Sequence, residues 1–411
     1  MVWKALTECR SCSAPLDEPR IDLGTHALSG VFPRSHHEIP PSAPLRLSMC
    51  GRCGLVQLAD HVDLALMYNE EYGYRSSINE TMRHHLEQTA EVVYDLVVAK
   101  RRASIRSLDI GSNDGTLMNR LRELGAHTFG CDPSISPADS DLSSRVARDF
   151  FSERIVSKTF GKGTFDLITS IAMLYDLPDP KSFFRDIKEC LSTDGIWFFE
   201  QTDLRALVDS TAFDSICHEH TEYYSFAVLK ALVEEHGMEI RRVWRTTSNG
   251  SSVACVCSHR GERFDLDDES VAPYLNAETT LLSDPASTLN GLAEVFQRTQ
   301  SKILEVIRAE KGSGRQIIGL GASTKGNTLI QTLGLTADDI SFILDRAPFK
   351  HGRFTPGSKI PVFDEARVEL PFDATAIVFP WHFREQFLVR YADFRRRGGR
   401  LLFPLPKVEV L

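Results

Sequence analysis

The pattern that most constrains the fold is a regular alternation of apolar strand-like segments with helices in the middle of the chain. Residues 107–110 (SLDI) predict a buried strand, the glycine-containing turn GSNDG follows, and residues 116–124 predict a helix. Four further strand-like segments follow, in HTFGCD, RVARDFFS, FDLITSI and GIWFFEQ, with a helix at 183–191 between the last two. Such alternation predicts a doubly wound parallel sheet, which binds its ligand at the carboxyl ends of the strands.

The turn GSNDG distinguishes between two kinds of nucleotide ligand. A dinucleotide fingerprint has glycine where this chain has Asn113, because the backbone there must approach a pyrophosphate. Asp109 ends the first strand, where a carboxylate can receive an ammonium group, and Asp132 ends the second, where it can accept both ribose hydroxyls. A ligand with a ribose, an amino acid end and no phosphate is typical of class I S-adenosylmethionine-dependent methyltransferases. The predicted cofactor site comprises Asp109, Gly111, Asn113, Asp114, Asp132 and Phe150; the alternative is a strand-turn-helix without a ligand.

Composition and charge disfavour other classes of protein. The 411 residues contain 47 Lys and Arg against 56 Asp and Glu, and the net charge of −9 disfavours electrostatic binding of long nucleic acid. No stretch approaches the roughly 20 apolar residues of a membrane-spanning helix, and the start MVWKALTECR lacks a signal-peptide core. We therefore expect a cytoplasmic protein of two or three domains, with reduced thiols, that is a monomer or a weak homo-oligomer.

Four of the nine cysteines form two C-x-x-C pairs near the start of the chain. Cys9 and Cys12 stand in CRSC, and Cys50 and Cys53 stand in CGRC. Each pair presents two thiolates from one turn, and two such turns complete a tetrahedral Zn²⁺ shell. Because no fifth ligand candidate lies close by, the predicted metal is structural and holds together an N-terminal module of about 70 residues. Four unrelated buried cysteines and a redox pair are the alternatives.

The segment AFDSICHEHTEYYS (212–225) concentrates ionisable side chains directly after the fifth strand, over the carboxyl edge of the sheet. Apolar residues on both sides argue against a solvated loop. If the chain is extended across HEH, His218 and His220 point to one side and Glu219 to the other. Histidine near neutral pH suits general acid–base catalysis, which we expect here. A metal site and a structural histidine cluster are the alternatives, although H-x-H alone supplies too few metal ligands.

The last third of the chain repeats the strand-turn-helix pattern. After a helical connector, GRQIIGLGASTKGNTLIQTLG predicts a strand, a turn and a helix, with Ser323 and Lys325 aimed at an anion over the helix N-terminus. The next strand ends at Asp345, and Arg346 and Lys350 add positive charge that suits a diphosphate. Taken alone, the pattern would also suit NAD, and a Rossmann-like scaffold without a ligand is a further alternative.

Six motifs together carry a resemblance to a known family. CxxC…CxxC, LDIGSNDGTL, AFDSICHEHTEYYS, SNGSS, GLGASTKGNTL and PWHF occur in this order in the nucleotide-sugar C-methyltransferase family, which the chain resembles over essentially its whole length. The resemblance implies a zinc-binding module at 1–70, a methyltransferase domain with the catalytic loop at 71–285, and a Rossmann-like sugar-nucleotide domain at 286–411. It implies S-adenosylmethionine and structural Zn²⁺ as cofactors and a nucleoside-diphosphate 4-keto-deoxysugar as substrate, methylated at carbon 3 through a histidine-generated enolate.

Matching positions within the family imply particular roles. His220 resembles the base and Glu219 a partner in the site, with His218 beside them. The implied substrate site comprises Asn249, Ser323, Lys325, Asp345, Lys350 and Trp381, and a core position is the alternative for Trp381.

This chain departs from the family pattern just before HEH. Many members carry a tyrosine where this chain has Cys217, a shorter and weaker donor, so that another group must handle the enolate. The candidates are Tyr72 and Tyr74, followed by Tyr223 and Tyr224.

Other functions stay open at this point. A zinc-ribbon methyltransferase acting on RNA or protein would need a basic face and aromatic stacking platforms, which this acidic chain does not indicate. A non-catalytic zinc protein that binds a nucleotide sugar would leave HEH and GSNDG unexplained. An O-methyltransferase acting on a sugar hydroxyl is the nearest competitor, since a histidine base could serve there too.

Overall fold

The protein is described by a computed structural model covering residues 2–69, 72–99, 104–135, 142, 144–261, 270–281 and 284–411. The strands within these ranges are β1 (Trp3–Ala5), β2 (Ile21–Ala27), β3 (Ser42–Met49), β4 (Val56–Leu58), β5 (Asp60–Val62), β6 (Arg106–Ile110), β7 (His127–Cys131), β8 (Val146–Ala147), β9 (Phe165–Ile171), β10 (Leu191–Gln201), β11 (Glu222–Tyr223), β12 (Met238–Thr246), β13 (Ser252–His259), β14 (Ile317–Leu320), β15 (Ile343–Asp345), β16 (Val362–Asp364), β17 (Thr375–Val378), β18 (Arg400–Phe403) and β19 (Glu409–Val410). The helices are α1 (Glu80–Val98), α2 (Thr116–Glu123), α3 (Glu153–Phe160), α4 (Pro180–Cys190), α5 (Leu204–Ser210), α6 (Phe226–Glu235), α7 (Val271–Leu281), α8 (Pro285–Gly312), α9 (Thr324–Thr332), α10 (Arg384–Arg390) and α11 (Ala392–Arg396).

The middle of the described chain forms a seven-stranded sheet in the order β12-β13-β10-β9-β6-β7-β8. The strands from β6 to β10 pair in parallel, and β12 and β13 are antiparallel. The chain builds β6, β7 and β8 outward and then crosses back to place β9 and β10 on the other side of β6. The carboxyl end of β6 is therefore the topological switch point, where such sheets bind ligands. The predicted doubly wound sheet is confirmed.

Helix α1 shows how local sequence sets these elements. Its N-cap is Asn79, whose side-chain oxygen accepts hydrogen bonds from the N–H groups of Thr81 and Met82. Its buried side chains recur three or four residues apart and pack on β9 and β10 through Leu167 and Phe198. The nearby serines Ser76 and Ser77 do not cap this helix, because they lie in a separate short 3₁₀ turn.

Two predicted boundaries differ from the structure. The strand expected in RVARDFFS shrinks to Val146 and Ala147, which pair with β7. Helix α4 begins at Pro180 rather than at residue 183, because the Asp179 side chain accepts a hydrogen bond from the N–H of Ser182 and caps an earlier turn.

The C-terminal third forms a six-stranded sheet in the order β16-β15-β14-β17-β18-β19. All its pairs are parallel except β18 with β19. The carboxyl ends of β14 and β15, which carry the turn GASTKG and Asp345, lie at a second switch point. The Rossmann-like repeat predicted from the sequence is confirmed.

The N-terminal segment contributes a two-stranded sheet of β1 and β5 and an antiparallel sheet in the order β11-β4-β3-β2. Strand β11 comes from the middle of the chain, so the segment that contains HEH is hydrogen-bonded to the N-terminal sheet. At the opposite edge, the side chain of Gln331 in α9 bonds both the N–H and the C=O of Ala27, at 2.8 and 3.1 Å. The N-terminal sheet therefore joins the two larger units.

No helix in the described part of the chain combines the length and apolarity that a bilayer crossing needs.

Candidate active site

The four predicted metal-ligand cysteines converge on one point. Their sulfur atoms all lie within 4.8 Å of one another, with Cys9 Sγ 3.6 Å from Cys53 Sγ and Cys12 Sγ 3.4 Å from Cys50 Sγ. Each pair sits in a tight turn, and the second turn needs Gly54 in the left-handed region at φ 77°. Zinc–sulfur bonds of about 2.3 Å in a tetrahedron require similar separations, so the donors fit Zn²⁺. No other residue among those described joins the cluster, as a closed structural site requires.

A cavity of about 1480 Å³ is lined by residues from the N-terminal segment, from the seven-stranded sheet and from the six-stranded sheet. Both Asp132 and His220 line it, so the predicted cofactor and base positions face one space. Fifteen predicted site residues line this cavity: Tyr72, Tyr74, Asp109, Gly111, Asn113, Asp114, Asp132, Phe150, Glu219, His220, Asn249, Ser323, Lys325, Asp345 and Lys350. His218, Tyr224 and Trp381 do not.

Two buried carboxyl groups mark the cofactor side of the cavity. Asp109, at the end of β6, accepts a hydrogen bond from the Thr169 hydroxyl at 2.7 Å, and burial raises the pKa of Asp109 to about 7. Asp132, just after β7, accepts bonds from the Asn113 N–H at 2.8 Å and from the N–H and hydroxyl of Ser134 at 2.7 and 2.6 Å. These donors fix the Asp132 carboxylate and occupy three of its roughly four acceptor positions. The arrangement suits an ammonium at Asp109 and a ribose hydroxyl at Asp132, which are the groups that S-adenosylmethionine offers.

The side chains of Asn113 and Asp114, which line the cavity, also hold a neighbouring segment in place. Asn113 accepts from the N–H of Ser76 at 3.0 Å and donates to the carbonyl of Tyr74 at 3.1 Å. Asp114 accepts from the N–H of Ser77 at 2.9 Å. The turn GSNDG therefore fastens the segment that carries Tyr72 and Tyr74 over the cavity.

The imidazole of His220 is held in one orientation. Its Nδ1 donates to the carbonyl of Ser215 at 2.9 Å, which assigns the proton to Nδ1 and leaves the Nε2 lone pair available. The Tyr175 ring packs on the imidazole with centroids 4.3 Å apart. Burial, aided by the positive charge of Lys325, lowers the pKa of His220 to about 3. The imidazole is therefore neutral at physiological pH.

Glu219 also lines the cavity, but its carboxyl group turns toward Gly30. A Cβ atom at Gly30 would lie 3.1 Å from Glu219 Oε1, so the close approach depends on the missing side chain. Neither carboxyl oxygen makes a hydrogen bond of good geometry to the described residues, and burial raises the pKa of Glu219.

The HEH segment is a turn, and the expectation of an extended segment was wrong. The N–H of His220 bonds the carbonyl of Cys217 at 3.1 Å, which closes a tight turn. His218 consequently points into the N-terminal sheet, where its Nε2 lies 3.1 Å from the carbonyl oxygen of Ala43. Cys217 and Tyr224 are fully buried in the core, outside the cavity. The sequence candidates His218, Tyr223 and Tyr224 therefore do not line the cavity.

His218 carries a testable pH dependence. Burial lowers its pKa to about 4 from an ordinary value of 6.5, so the unfolded chain binds more protons between these values. The stability that comes from keeping this imidazole neutral is fully present above pH 6.5 and is lost as the pH falls toward 4. Lowering the pH from 7 to 5 should reduce the free energy of unfolding of the native chain. This reduction should be about 2 kcal/mol larger than the reduction in the His218→Gln variant. Urea unfolding at the two pH values measures this difference, and equal pH dependence would contradict the assignment.

The C-terminal wall of the cavity is positively charged. Lys325 and Arg346 line it without a hydrogen bond or ion pair to the residues described. Lys350, in contrast, is paired with Asp345 at 3.0 Å. Asp345 also accepts from the N–H groups of Ala322 and Ala347, so its oxygens are committed, which argues against the NAD alternative.

Packing and helix capping account for the residues Gly321 and Ser323 in the turn before α9. Gly321 has φ 82°, and a Cβ there would lie 2.4 Å from the Pro380 ring. The Ser323 hydroxyl accepts from the N–H of Gly326 at 3.0 Å as the helix N-cap, a capping role that the sequence analysis did not assign to it.

Trp381 is buried and does not line the cavity. This placement favours the alternative from the sequence, a core position, over a place in the substrate site. Its indole N–H donates to Asp214 at 2.7 Å, and the ring is 6% exposed. This bond anchors the short turn at 213–215 that also supplies the carbonyl of Ser215 to His220. The next residue, His382, does line the cavity, and burial lowers its pKa to about 3.

Sequence reasoning missed several cavity residues, among them Tyr68, Tyr175 and Asp176. Tyr175 and Asp176 follow β9, and the Tyr68 hydroxyl donates to Asp176 at 2.7 Å. Burial raises the pKa of Asp176 well above its ordinary value. The position of Tyr175 and Asp176 just beyond the carboxyl end of a central strand was the signal that could have found them.

Comparisons with known proteins agree with this three-part architecture. A zinc binding domain matches residues 9–68, a methyltransferase domain matches 82–243, and a C-methyltransferase C-terminal domain matches 247–406. Together with the cavity, these matches define an S-adenosylmethionine-dependent methyltransferase that uses structural zinc. C-methyltransferase NovU from Streptomyces niveus is 23% identical over 415 residues, covering 100% of this chain and 98% of that protein. This similarity over the full length, together with the three domain matches, confirms the predicted resemblance to C-methyltransferases.

Other similarities cover a smaller share of the chain. The ubiquinone biosynthesis O-methyltransferase of Colwellia psychrerythraea (strain 34H) is 27% identical over an alignment of 153 residues, and the match covers 32% of this chain and 60% of that protein. The magnesium protoporphyrin IX methyltransferase of Synechocystis PCC 6803, solved with bound S-adenosylmethionine, is 14% identical with a TM-score of 0.33, covering 44% of this chain and 82% of that one.

Proposed function

We propose that the protein transfers a methyl group from S-adenosylmethionine to a carbon, C-3, next to the keto group of a nucleoside-diphosphate 4-keto-deoxysugar. The observation that carries the proposal is the shared cavity, which Asp132, His220 and Lys325 all line. We also propose the functional division into 1–70, 71–285 and 286–411. Free zinc-binding thiolates need a reducing compartment, which favours the cytoplasm.

The reaction requires a base because carbon is not nucleophilic until it loses a proton. A hydrogen next to a ketone is acidified, since the resulting negative charge delocalises onto the carbonyl oxygen. His220 Nε2 takes this proton, while the bond from Nδ1 to Ser215 keeps the ring in the productive orientation. Bound S-adenosylmethionine supplies an electrophilic methyl group on its sulfonium. The two fixed carboxyl groups, Asp109 and Asp132, position this cofactor, and positioning contributes much of the rate.

Tyr72 is the proposed donor to the enolate oxygen. It lines the cavity, and burial keeps the pKa of its phenol well above the ordinary value, so the hydroxyl stays protonated and can donate. Tyr74 is 46% exposed and lies nearer the mouth, which suits contact with the outer part of the substrate. Glu219, whose carboxyl group turns toward Gly30, contributes a polar side chain to the lining of the site next to His220.

Lys325 and Arg346 are the proposed ligands of the diphosphate, because both line the cavity with their charges uncommitted. Ser323 and Asn249 complete this wall, with Asn249 in the left-handed region at φ 52° in the turn between β12 and β13. Lys350 and Asp345 support the wall as an ion pair.

Incubation with labelled S-adenosylmethionine and a 4-keto sugar nucleotide in D₂O tests the proposed function. C-methylation removes a carbon-bound hydrogen from the substrate, whereas O-methylation on a sugar hydroxyl keeps every skeleton hydrogen. Label on carbon with loss of that hydrogen supports the proposal. Label on oxygen would favour the O-methyltransferase, and binding without transfer would favour a non-catalytic protein.

Asp132→Ala is expected to weaken S-adenosylmethionine binding by about 10- to 100-fold. The variant loses a hydrogen bond to a charged acceptor, worth about 1.5–3 kcal/mol, and each 1.4 kcal/mol is tenfold in affinity. Isothermal titration with the cofactor measures the change. Asp209→Ala on the exposed side of α5 is the matched control and should bind normally. Unchanged affinity in Asp132→Ala would contradict the ribose role.

A further inference from the structure

Arg10 lies between two zinc ligands, Cys9 and Cys12, and extends away from them into the body of the protein. Its backbone N–H donates to the side-chain oxygen of Gln57 at 2.9 Å. Its guanidinium donates to the carbonyl of Pro178 at 3.3 Å and to the carbonyl of Asp60 at 3.4 Å. A residue of the first zinc turn therefore contacts both β4 and the loop that follows β9.

The hydrogen bond from Arg10 to Gln57 connects the first zinc turn to the segment that contains His220, because Gln57 belongs to a strand that pairs with this segment. Gln57 in β4 pairs with Glu222 in β11, and the N–H of Leu58 bonds the carbonyl of Thr221 at 2.9 Å. The second zinc turn precedes β4 directly, since the N–H of Cys50 bonds the carbonyl of Leu55 at 2.9 Å. The first zinc turn is thus hydrogen-bonded to β4, which pairs with the residues next to His220, and the second zinc turn leads directly into β4.

The second contact leads to the aromatic face of His220. Pro178 ends the segment that contains Tyr175, whose ring packs on the imidazole. Thr221 ties this segment to the HEH turn, because its N–H bonds the carbonyl of Tyr175 at 2.7 Å and its hydroxyl bonds the carbonyl of Leu177 at 2.8 Å. Arg10 therefore bonds one of the two loops that enclose His220 and reaches the other through Gln57.

An electrostatic interaction between Arg10 and Glu222 accompanies these hydrogen bonds. Glu222 is fully buried, and burial raises its pKa to about 8, an effect that the positive charge of Arg10 partly offsets. No hydrogen bond of good geometry reaches either carboxyl oxygen of Glu222 from the described residues. An uncharged side chain at position 10 would remove the positive charge that offsets part of the cost of burying the Glu222 carboxyl group.

We infer that Arg10 is a positioning residue that transmits the geometry of the zinc site to His220, so that the metal supports the reaction centre as well as the N-terminal fold. The inference deepens the proposed function and rests on His220 as its base. Misplacement of a catalytic group by about 1 Å can cost about 100-fold in rate. We therefore expect Arg10→Met to lower kcat by about 10- to 100-fold, with little change in the KM for S-adenosylmethionine.

The experiment compares zinc-loaded Arg10→Met with Arg52→Met, the matched control, since Arg52 is the exposed arginine of the second zinc turn. Zinc per chain and S-adenosylmethionine affinity are measured first and should equal those of the native chain. The decisive readout is the ¹⁵N signal of the His220 ring, identified among the 13 histidines by its loss in His220→Asn. It should show protonated Nδ1 in the native chain and in Arg52→Met, and a shifted or mixed tautomer in Arg10→Met.

Each outcome decides the inference. An unchanged His220 signal in zinc-loaded Arg10→Met would overturn it, as would an equal change in Arg52→Met. If Arg10→Met loses zinc or misfolds, Arg10→Lys decides instead, because lysine keeps the charge but cannot reach both carbonyl groups. A displaced His220 signal in that variant supports the inference, and a native signal overturns it. The ring signal does not depend on turnover, so failure of the proposed reaction would be seen separately, in the native chain.

Discussion

Replacing His220 with asparagine is expected to lower kcat for methyl transfer by about 10²- to 10⁴-fold, the usual contribution of a positioned general base. Asparagine retains an N–H donor for the carbonyl of Ser215, which His220 Nδ1 contacts at 2.9 Å, but it has no atom in the place of Nε2. The variant should therefore fold normally and bind S-adenosylmethionine with native affinity. Steady-state kinetics with labelled cofactor, and calorimetry for binding, measure the two quantities.

The matched control for this prediction is His218→Gln. Glutamine places an amide at about the reach of the imidazole Nε2 that lies 3.1 Å from the Ala43 carbonyl, and His218 lies outside the cavity. This variant should keep a kcat near that of the native enzyme. Native activity in His220→Asn, or an equal loss of activity in both variants, would discard the assignment of the base.

Cys9→Ser is expected to release the zinc and to unfold the N-terminal sheets. Structural zinc contributes an apparent binding free energy of about 10–16 kcal/mol in small zinc domains, and one missing thiolate removes a large share of it. The buried cluster that the N-terminal segment forms by itself is small, although Leu45, Leu47 and Val56 also pack into the larger core shared with the C-terminal sheet. A segment with so small a core of its own depends on the metal. Metal analysis and hydrogen exchange of the N-terminal amides measure the loss.

Cys131→Ser is the matched control for the zinc prediction. The Cys131 thiol donates to the carbonyl of Asp149 at 3.0 Å, a bond that a serine hydroxyl can reproduce. This variant should keep its zinc and its N-terminal protection. Native protein without zinc, or Cys9→Ser with full protection of β2–β4, would remove the basis for a structural metal.

Much of the cofactor and zinc chemistry could be predicted from the sequence, because it is encoded within a few consecutive residues. Two thiolates three positions apart must share a turn, and a strand, a glycine turn and a helix place Asp109 at a sheet edge wherever the rest of the chain lies. Asp132 follows from the next strand by the same rule. In these cases the local backbone positions the functional group.

The two histidines of HEH show where that reasoning ends. Alternation along an extended chain put His218 and His220 on one side, but the hydrogen bond from His220 to Cys217 forms a turn and separates them. Trp381 and Tyr224 are likewise of residue types that often occur in binding sites, but both are buried in the core. Whether such a side chain faces a cavity or the core depends on what packs against it from distant parts of the chain.

The sequence alone therefore determined the zinc ligands, the two doubly wound sheets and the position of a methyl-donor site, because each depends on short-range geometry. Only the tertiary structure decided that His220, rather than His218, faces the cavity, and that β4 supports its loop through β11. Pairing between Gln57 and Glu222 joins segments far apart in the chain. No local pattern specifies that pairing, since its free energy comes from the packing of the whole molecule.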